Sequence, residues 1–441
     1  MNRRVTVPKL RWIIAGLLLV VTLINYVDRM AISVIVNRLM GDFHITVNDY
    51  GQIVALFMIA YAVMYAGSGY IVDWLGTRLG MALFVGFWSV CQVLQGLTIG
   101  KWSFAACRIG LGLAEPGSFP AATKAVDEWF PARQRALGVG IFNTGSIIGA
   151  AVASPLVAFV TLHFGWRTAF VVTGILGFIW LVAWLILYQR PQHNRWLSSA
   201  EEAELRREGV ITETVAGGSP LAEKKAHWSD ILKSRPGIML ILARFLTDPV
   251  IYFVMFWLPF YLEKARGFDL TMIGEYAWVP WAVGGLGYTF GGWLSGRLMR
   301  NGWNIGKSRK TAMTVGALLL PSAILAPLVP SPALAIAAMC VVVLGHAIWV
   351  TNLMTLPTDL FSSSQVAAVA GLSGMGGAIG SALANWFTGS VVAHFSYLPI
   401  FICAGILHPT AMLLVWWLLP ERYFTQKPGM KPDQSTVSGK R

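Results

Sequence analysis

Twelve stretches of about 20 residues, apolar on every helical face, follow one another along this 441-residue chain and are separated by short polar turns. They begin near Trp12, Gly51, Leu79, Trp102, Ala136 and Trp166, and again near Gly237, Met272, Thr311, Pro332, Val366 and Tyr397. Stretches of this length fit helices that cross a bilayer, where every backbone N–H and C=O must be satisfied within the segment. The pattern therefore predicts an all-α membrane protein of twelve transmembrane helices. One long polar segment interrupts it, residues 190–236, between the sixth and seventh spans. The chain reads as an N-terminal six-helix half over 1–189, a linker over 190–236, and a C-terminal six-helix half with a polar tail over 237–441. Within the linker, Ser199 followed by Glu202 has the spacing of a capping box that opens a short charged helix.

A repeat supports the division. "HFGWRTAFVVTGIL" from His163 and "HFSYLPIFICAGIL" from His394 share HF and GIL at the same spacing, and "GYIVDWLGTR" from Gly69 and "GWLSGRLMRN" from Gly292 each close an apolar span. Two parallel halves related by an axis along the membrane normal form a transporter plan, with substrate bound near mid-membrane between them.

Composition agrees: 56% of residues are hydrophobic and 12% charged, against about 25% charged in soluble domains. The net charge of +13 does not indicate a nucleic-acid partner, because most of the Lys and Arg fall in the linker and in the turns on its side. That bias places the linker and both termini in the cytoplasm. Basic residues flank the first span (Arg3, Arg4, Lys9, Arg11), yet no small-residue cleavage site follows, so this span is read as retained. The four cysteines lie inside apolar spans without ligand spacing, which implies neither a disulfide, a metal nor a cofactor.

Against this background a few charges stand out. Asp28 and Arg29 end the apolar run of the first span, and Arg108 and Glu115 lie in the fourth. Each costs about 2.5–3.5 kcal/mol at the centre of a spanning helix, so such groups persist where they pair, line a wet cavity or act. Neighbours on a helix point about 100° apart, so Asp28 and Arg29 need different partners. Counting residues from Trp12 and Trp102 as interface markers puts Arg29 and Arg108 at one depth, as an anion clamp, with Asp28 beside them and Glu115 about 10 Å deeper. Ionised, the four sum to zero; one proton on a carboxylate leaves +1, enough to hold a monoanion. Arg244 and Asp248, at i and i+4 in the seventh span, read instead as a self-satisfied pair. Polar residues of the spans that can serve sugar hydroxyls are Tyr26, Tyr61, Tyr65, Asn143, Ser146, Tyr252, His346, Asn352 and Ser373, and Trp257, Trp278, Trp281 and Trp349 offer rings to stack on.

These residues carry a family resemblance over nearly the whole chain. "GYIVDWLGTRLG" resembles the loop between helices 2 and 3 of the major facilitator superfamily, and "RIGLGLAEPGSFPA" resembles helix 4 of its anion:cation symporter branch. "NYVDRM", "FNTGSIIGA" and "FLTDPVIYFVMFWLPFYL" are similar to hexuronate transporters within that branch. The resemblance implies two six-helix halves, substrate contact by Arg29 and Arg108, proton coupling by Asp28 and Glu115, and gating by Asp73 and Arg78. Gly296 stands where the second-half copy of the loop motif would carry Asp. The expectation is thus a monomeric, proton-coupled symporter of a small organic anion, a hexuronate or related sugar acid, in a bacterial-type inner membrane. Another carboxylate, phosphate, or sodium coupling are the alternatives. No metal-binding His pair, nucleophile elbow or nucleotide loop suggests an enzyme.

Overall fold

The computed structural model describes residues 9–211 and 228–425; the middle of the linker and the polar tail lie outside the described residues. Among the described residues all regular structure is helical. Spans 1–3 are Leu10–Phe43, Val47–Leu75 and Thr77–Gly96; span 4 is Lys101–Ala114 continued by Ser118–Trp129; spans 5 and 6 are Ala132–Phe164 and Trp166–Leu187. Span 7 is Arg235–Arg266, span 8 joins Leu270–Tyr276 to Val279–Arg300, and span 9 runs from Ile305–Leu319 through a 3-10 segment to Leu325–Leu328. Pro332–Leu353, Ser363–His394 and Leu398–Leu418 are spans 10–12. Among the described residues nine helical segments are long and apolar enough to cross a bilayer by themselves. The other three spans are 4, broken at Glu115–Gly117, 8, broken at Ala277–Trp278, and 11, diluted by Gly and Ser.

The outward faces explain why the chain needs a bilayer. Along span 3, Leu79, Leu83, Phe87, Val90, Leu94 and Leu97 recur at helical spacing and are all exposed. In water such a stripe would be an aggregation patch; against lipid tails it costs nothing. The chain direction alternates from span to span. One face of the bundle therefore carries the linker and the turn between spans 2 and 3, and the opposite, far face carries the turn between spans 5 and 6. The two copies of the HF…GIL repeat occupy equivalent places on the far face, closing spans 5 and 11 and opening spans 6 and 12.

Spans 2 and 11, 5 and 8, and 1 and 7 pack across the boundary between the two sets of six. A close backbone approach lies on the far face, where a methyl group at Gly51 would lie 2.7 Å from the Asn385 carbonyl oxygen. There Ser390 donates to Asn48 Oδ1 (2.9 Å), Tyr50 donates to the Phe256 carbonyl (2.6 Å), and Trp257 Nε1 donates to Asn385 Oδ1 (2.8 Å). Residues from both sets are thus sealed together at that end.

On the linker face, the short helix Ser199–Arg207 is capped by Ser198, which accepts from the Glu201 N–H, one residue earlier than the sequence pattern suggested. Its Glu201 accepts from the backbone N–H groups of Leu10 (2.7 Å) and Arg11 (3.1 Å), the otherwise orphaned first donors of span 1. Arg11 completes the clasp by reaching Glu201, Glu204 and Glu208. Asp73 and Arg78, expected at the gate, take separate partners: Asp73 pairs with Lys124 (2.7 Å), and Arg78 donates to the Leu185 carbonyl.

Candidate functional site

The geometry corrects the depths inferred by counting. Span 1 has 34 residues, about 51 Å at 1.5 Å per residue, far more than the ~30 Å hydrocarbon core. Trp12 is therefore no ruler for the far boundary, and Arg29 sits near the middle of the helix. Glu115 likewise falls at the midpoint of span 4, where Pro116, lacking an N–H, breaks the α-helix into the 3-10 turn Glu115–Gly117. The two residues that share a depth are Arg29 and Glu115, and they touch: Arg29 Nε donates to Glu115 Oε2 at 2.7 Å, with both side chains essentially fully buried. Glu115 is not a separate, deeper carboxylate, and Arg108 lies about two turns toward the far face from it.

The remaining contacts of Arg29 hold it in place. Its Nη2 donates to Asn25 Oδ1 (3.0 Å) and to the Tyr61 hydroxyl (3.4 Å), and its guanidinium lies over the Tyr26 and Tyr61 rings at 4.9 and 4.8 Å. Arg108 is different. It is fully buried, rests over the Phe57 ring at 4.5 Å, and none of its three side-chain nitrogens has a hydrogen-bond partner among the described residues. Asp28, turned away from Arg29 as adjacent helical residues must be, faces spans 3 and 6 beside Gln92 and Thr173, which bond each other at 2.9 Å. Both Asp28 oxygens and Glu115 Oε1 also lack a hydrogen-bond partner among the described residues. Buried polar groups are nearly always satisfied, so this concentration of spare capacity makes these groups candidates for meeting protons, water or ligand.

A cavity of about 150 Å³ lies between the two sets of spans, on the linker-face side of the seal. Tyr26 and Ser146 line it from the first set; Tyr252, Trp281, Tyr288, His346 and the Arg244–Asp248 pair line it from the second. Arg29 stands one side chain behind this wall, over the Tyr26 ring. Asn143 is exposed on the same face of span 5 as Ser146 and Ile147, one turn nearer the linker face. Arg244 and Asp248 bond each other at 2.7 and 2.9 Å, the i, i+4 pairing read from the sequence, and both also face the cavity.

Arg108 does not line the cavity, and two further predicted contact residues are placed elsewhere. Trp257 is completely buried in the far-face seal, against the Tyr50 ring at 5.0 Å. Asn352 is also fully buried, and its Nδ2 donates to the carbonyls of Gly291 and Ile348, tying span 10 to span 8. Residue type flagged both, but helix rotation turned them into packing. Tyr288 and the Gln92–Thr173 pair escaped sequence reasoning. Polar residues within otherwise apolar spans were the only signal.

Residues 18–385 match the family model described as Major Facilitator Superfamily. The chain is 33% identical to the hexuronate transporter of Escherichia coli (strain K12), covering 97% of each protein. It is 35% identical to the galacturonate transporter of Dickeya chrysanthemi, over 74% of this chain and 94% of that one. Among solved structures, it resembles a bacterial homolog to the human lysosomal transporter Spinster in an inward-facing, unoccupied conformation, with a TM-score of 0.72 at 19% identity over 95% of this chain and 98% of that one.

Proposed function

The chain belongs to the Major Facilitator Superfamily, and from that premise we propose that it is a proton-coupled symporter that takes up a hexuronate or related sugar acid by alternating access. The relatives named for hexuronate and galacturonate support the substrate class. The excess of Lys and Arg on the linker side supports cytoplasmic termini in a bacterial-type inner membrane, and two halves in one chain make a monomeric pathway sufficient.

One observation carries the coupling: the 2.7 Å bond between Arg29 and Glu115, directly behind the Tyr26 wall of the cavity. While Glu115 is ionised, it occupies the guanidinium that a substrate carboxylate needs. A proton on Glu115 removes its charge and releases that edge of Arg29, and the substrate carboxylate then restores neutrality. Proton and anion therefore favour each other's binding. Asp28 holds a second proton-accepting position, near Arg108. The sugar ring occupies the cavity, with Tyr26, Ser146 and Asn143 on one side and the tyrosines of spans 7 and 8 on the other.

The test is uptake into proteoliposomes under imposed pH or sodium gradients, with glucuronate, galacturonate, hexonates, aldarates, phosphate and neutral sugars. Uronates should accumulate with an inward proton gradient and not with sodium. Glucose should compete at least about 100-fold more weakly, since it leaves a buried guanidinium unpaired. Preference for phosphate, or equal competition by glucose, overturns the reading.

A second reading has its own observation: Arg244 lines the cavity directly, whereas Arg29 lies behind its wall. In that reading the carboxylate docks at Arg244 and displaces Asp248. Lysine substitution at each arginine separates the two.

A further inference from the structure

Two histidines meet in the second half, far in sequence and on different spans. His346 Nδ1 of span 10 lies 3.1 Å from His408 Nε2 of span 12, both side chains are buried, and the rings cross at 76°. His346 lines the cavity, and its other nitrogen, Nε2, is left for whatever the cavity holds. His408 does not reach the cavity. Its Nδ1 is buried without a hydrogen-bond partner among the described residues, and its ring packs against Trp349 at 5.6 Å.

The 3.1 Å separation is a hydrogen bond, so in the neutral pair one proton lies between the rings, and the pair has two tautomeric arrangements. In the first, His346 Nδ1–H donates to His408, which leaves a buried N–H on His408 Nδ1 with no acceptor and a bare lone pair on His346 facing the cavity. In the second, His408 Nε2–H donates to His346 Nδ1. That arrangement leaves only a lone pair on His408 Nδ1 and places an N–H on His346 Nε2, aimed at the cavity. Orphaned buried donors are rarer in proteins than under-satisfied acceptors, and the hydrogen bond at one ring nitrogen fixes the role of the other. The second arrangement wins.

We infer that His346 is a specificity-determining residue that donates Nε2–H to an oxygen of the sugar ring, and that His408 is a positioning residue that locks His346 in the donating tautomer. This rests on the sugar-acid reading and extends it, because it names the second-half contact and its polarity. A donor at a fixed place recognises an acceptor. A fluorine in place of one hydroxyl still accepts, whereas a deoxy carbon does not.

The experiment measures competition with labelled glucuronate counterflow in proteoliposomes, using the monodeoxy and monodeoxyfluoro glucuronates at each ring position. In the wild type, one position should show about tenfold weaker binding for the deoxy analogue, the equivalent of one hydrogen bond, with most of the affinity kept by the fluoro analogue. His346→Phe should abolish that difference, and His346→Gln, whose amide can donate from a similar place, should restore part of it. His408→Leu should shrink the difference without touching the cavity, and His408→Gln, which can still donate toward His346, should bring it back. A purely structural His408 would instead weaken all analogues alike, which overturns the tautomer lock. Equal loss for deoxy and fluoro compounds at every position, or an unchanged difference in His346→Phe, overturns the donor assignment. Failure of the wild type to carry any sugar acid is a separate outcome and counts against the substrate reading itself.

Discussion

The two halves each bury an arginine against a carboxylate, but they do it in opposite ways. Arg244 and Asp248 sit one turn apart on the same helix and neutralise each other whatever the neighbouring helices do. Arg29 and Glu115 are 86 residues apart on different spans, and around them Arg108, Asp28 and one Glu115 oxygen have no hydrogen-bond partner among the described residues. A pair within one helix is a closed account of charge. A pair between helices, surrounded by unsatisfied groups, can be opened by one proton and closed by an anion, and its opening alters how two spans hold each other. In the proposed mechanism the proton coupling is therefore concentrated in the first half, with the second half supplying sugar contacts.

The strongest way to break this comparison is to neutralise one carboxylate in each half. Glu115→Gln imitates the protonated state permanently, so pH-driven accumulation should fall to an in-to-out ratio of about 1 while exchange of labelled for unlabelled substrate survives. Asp248→Asn should keep most of the accumulation. Loss of accumulation in both variants would make the halves equivalent. Asp28→Asn should be at least as severe as Glu115→Gln, measured in the same liposomes at matched protein content.

Next in size are the arginines. Arg29→Lys should weaken glucuronate binding about 10- to 100-fold, because an ammonium cannot reproduce a two-pronged contact worth about 1.5–3 kcal/mol. Arg244→Lys should shift the same binding isotherm only a few-fold. The reverse order would move the carboxylate to the second half.

The smallest effect concerns the linker face. The loop copies lie 223 residues apart and the HF…GIL copies 231 apart; at the latter offset Arg309 of span 9 corresponds to Arg78 of span 3, and Asp359 to Glu128. In the second half Arg309 bonds Asp359 (3.1 Å) and Ser295 (3.1 Å), one residue before Gly296, so the missing acid of the loop motif is replaced by an ion pair to another span. In the first half Glu128 is already held by Thr77 and Tyr188, and Arg78 reaches only a carbonyl. Arg309→Gln should lower stability by about 1–3 kcal/mol, and Arg78→Gln by less than about 1 kcal/mol, read as thermal midpoints in detergent.

Much of the fold was legible because a bilayer imposes a demand that single residues reveal: long apolar spans, and a penalty on every charge inside them. For that reason Asp28, Arg29, Arg108 and Glu115 stood out without any structure. Which of them touch was not legible, since contact between spans depends on helix rotation, length and tilt. Span 1 overshooting the hydrocarbon core, and the turn at Pro116, were enough to put Glu115 beside Arg29 rather than 10 Å away. Trp257 and Asn352 show the same limit from the other side. Their side chains can bind a sugar, yet the directions they face commit them to packing. His408 was invisible because its effect passes through His346.

The clasp on span 1 has a consequence for biogenesis. Span 1 begins with backbone donors whose partner, Glu201, lies about 190 residues later in the chain. At about 5–20 residues per second, the ribosome makes that partner roughly 10–40 s after the helix itself. Until then span 1 has an open end on the linker face, and Arg11 has none of its three acids. The end closes only once the sixth span has been made and the segment beyond it has emerged. The order of synthesis thus leaves the first helix free to adjust its depth and rotation while its neighbours arrive, and fixes it when the first half is complete.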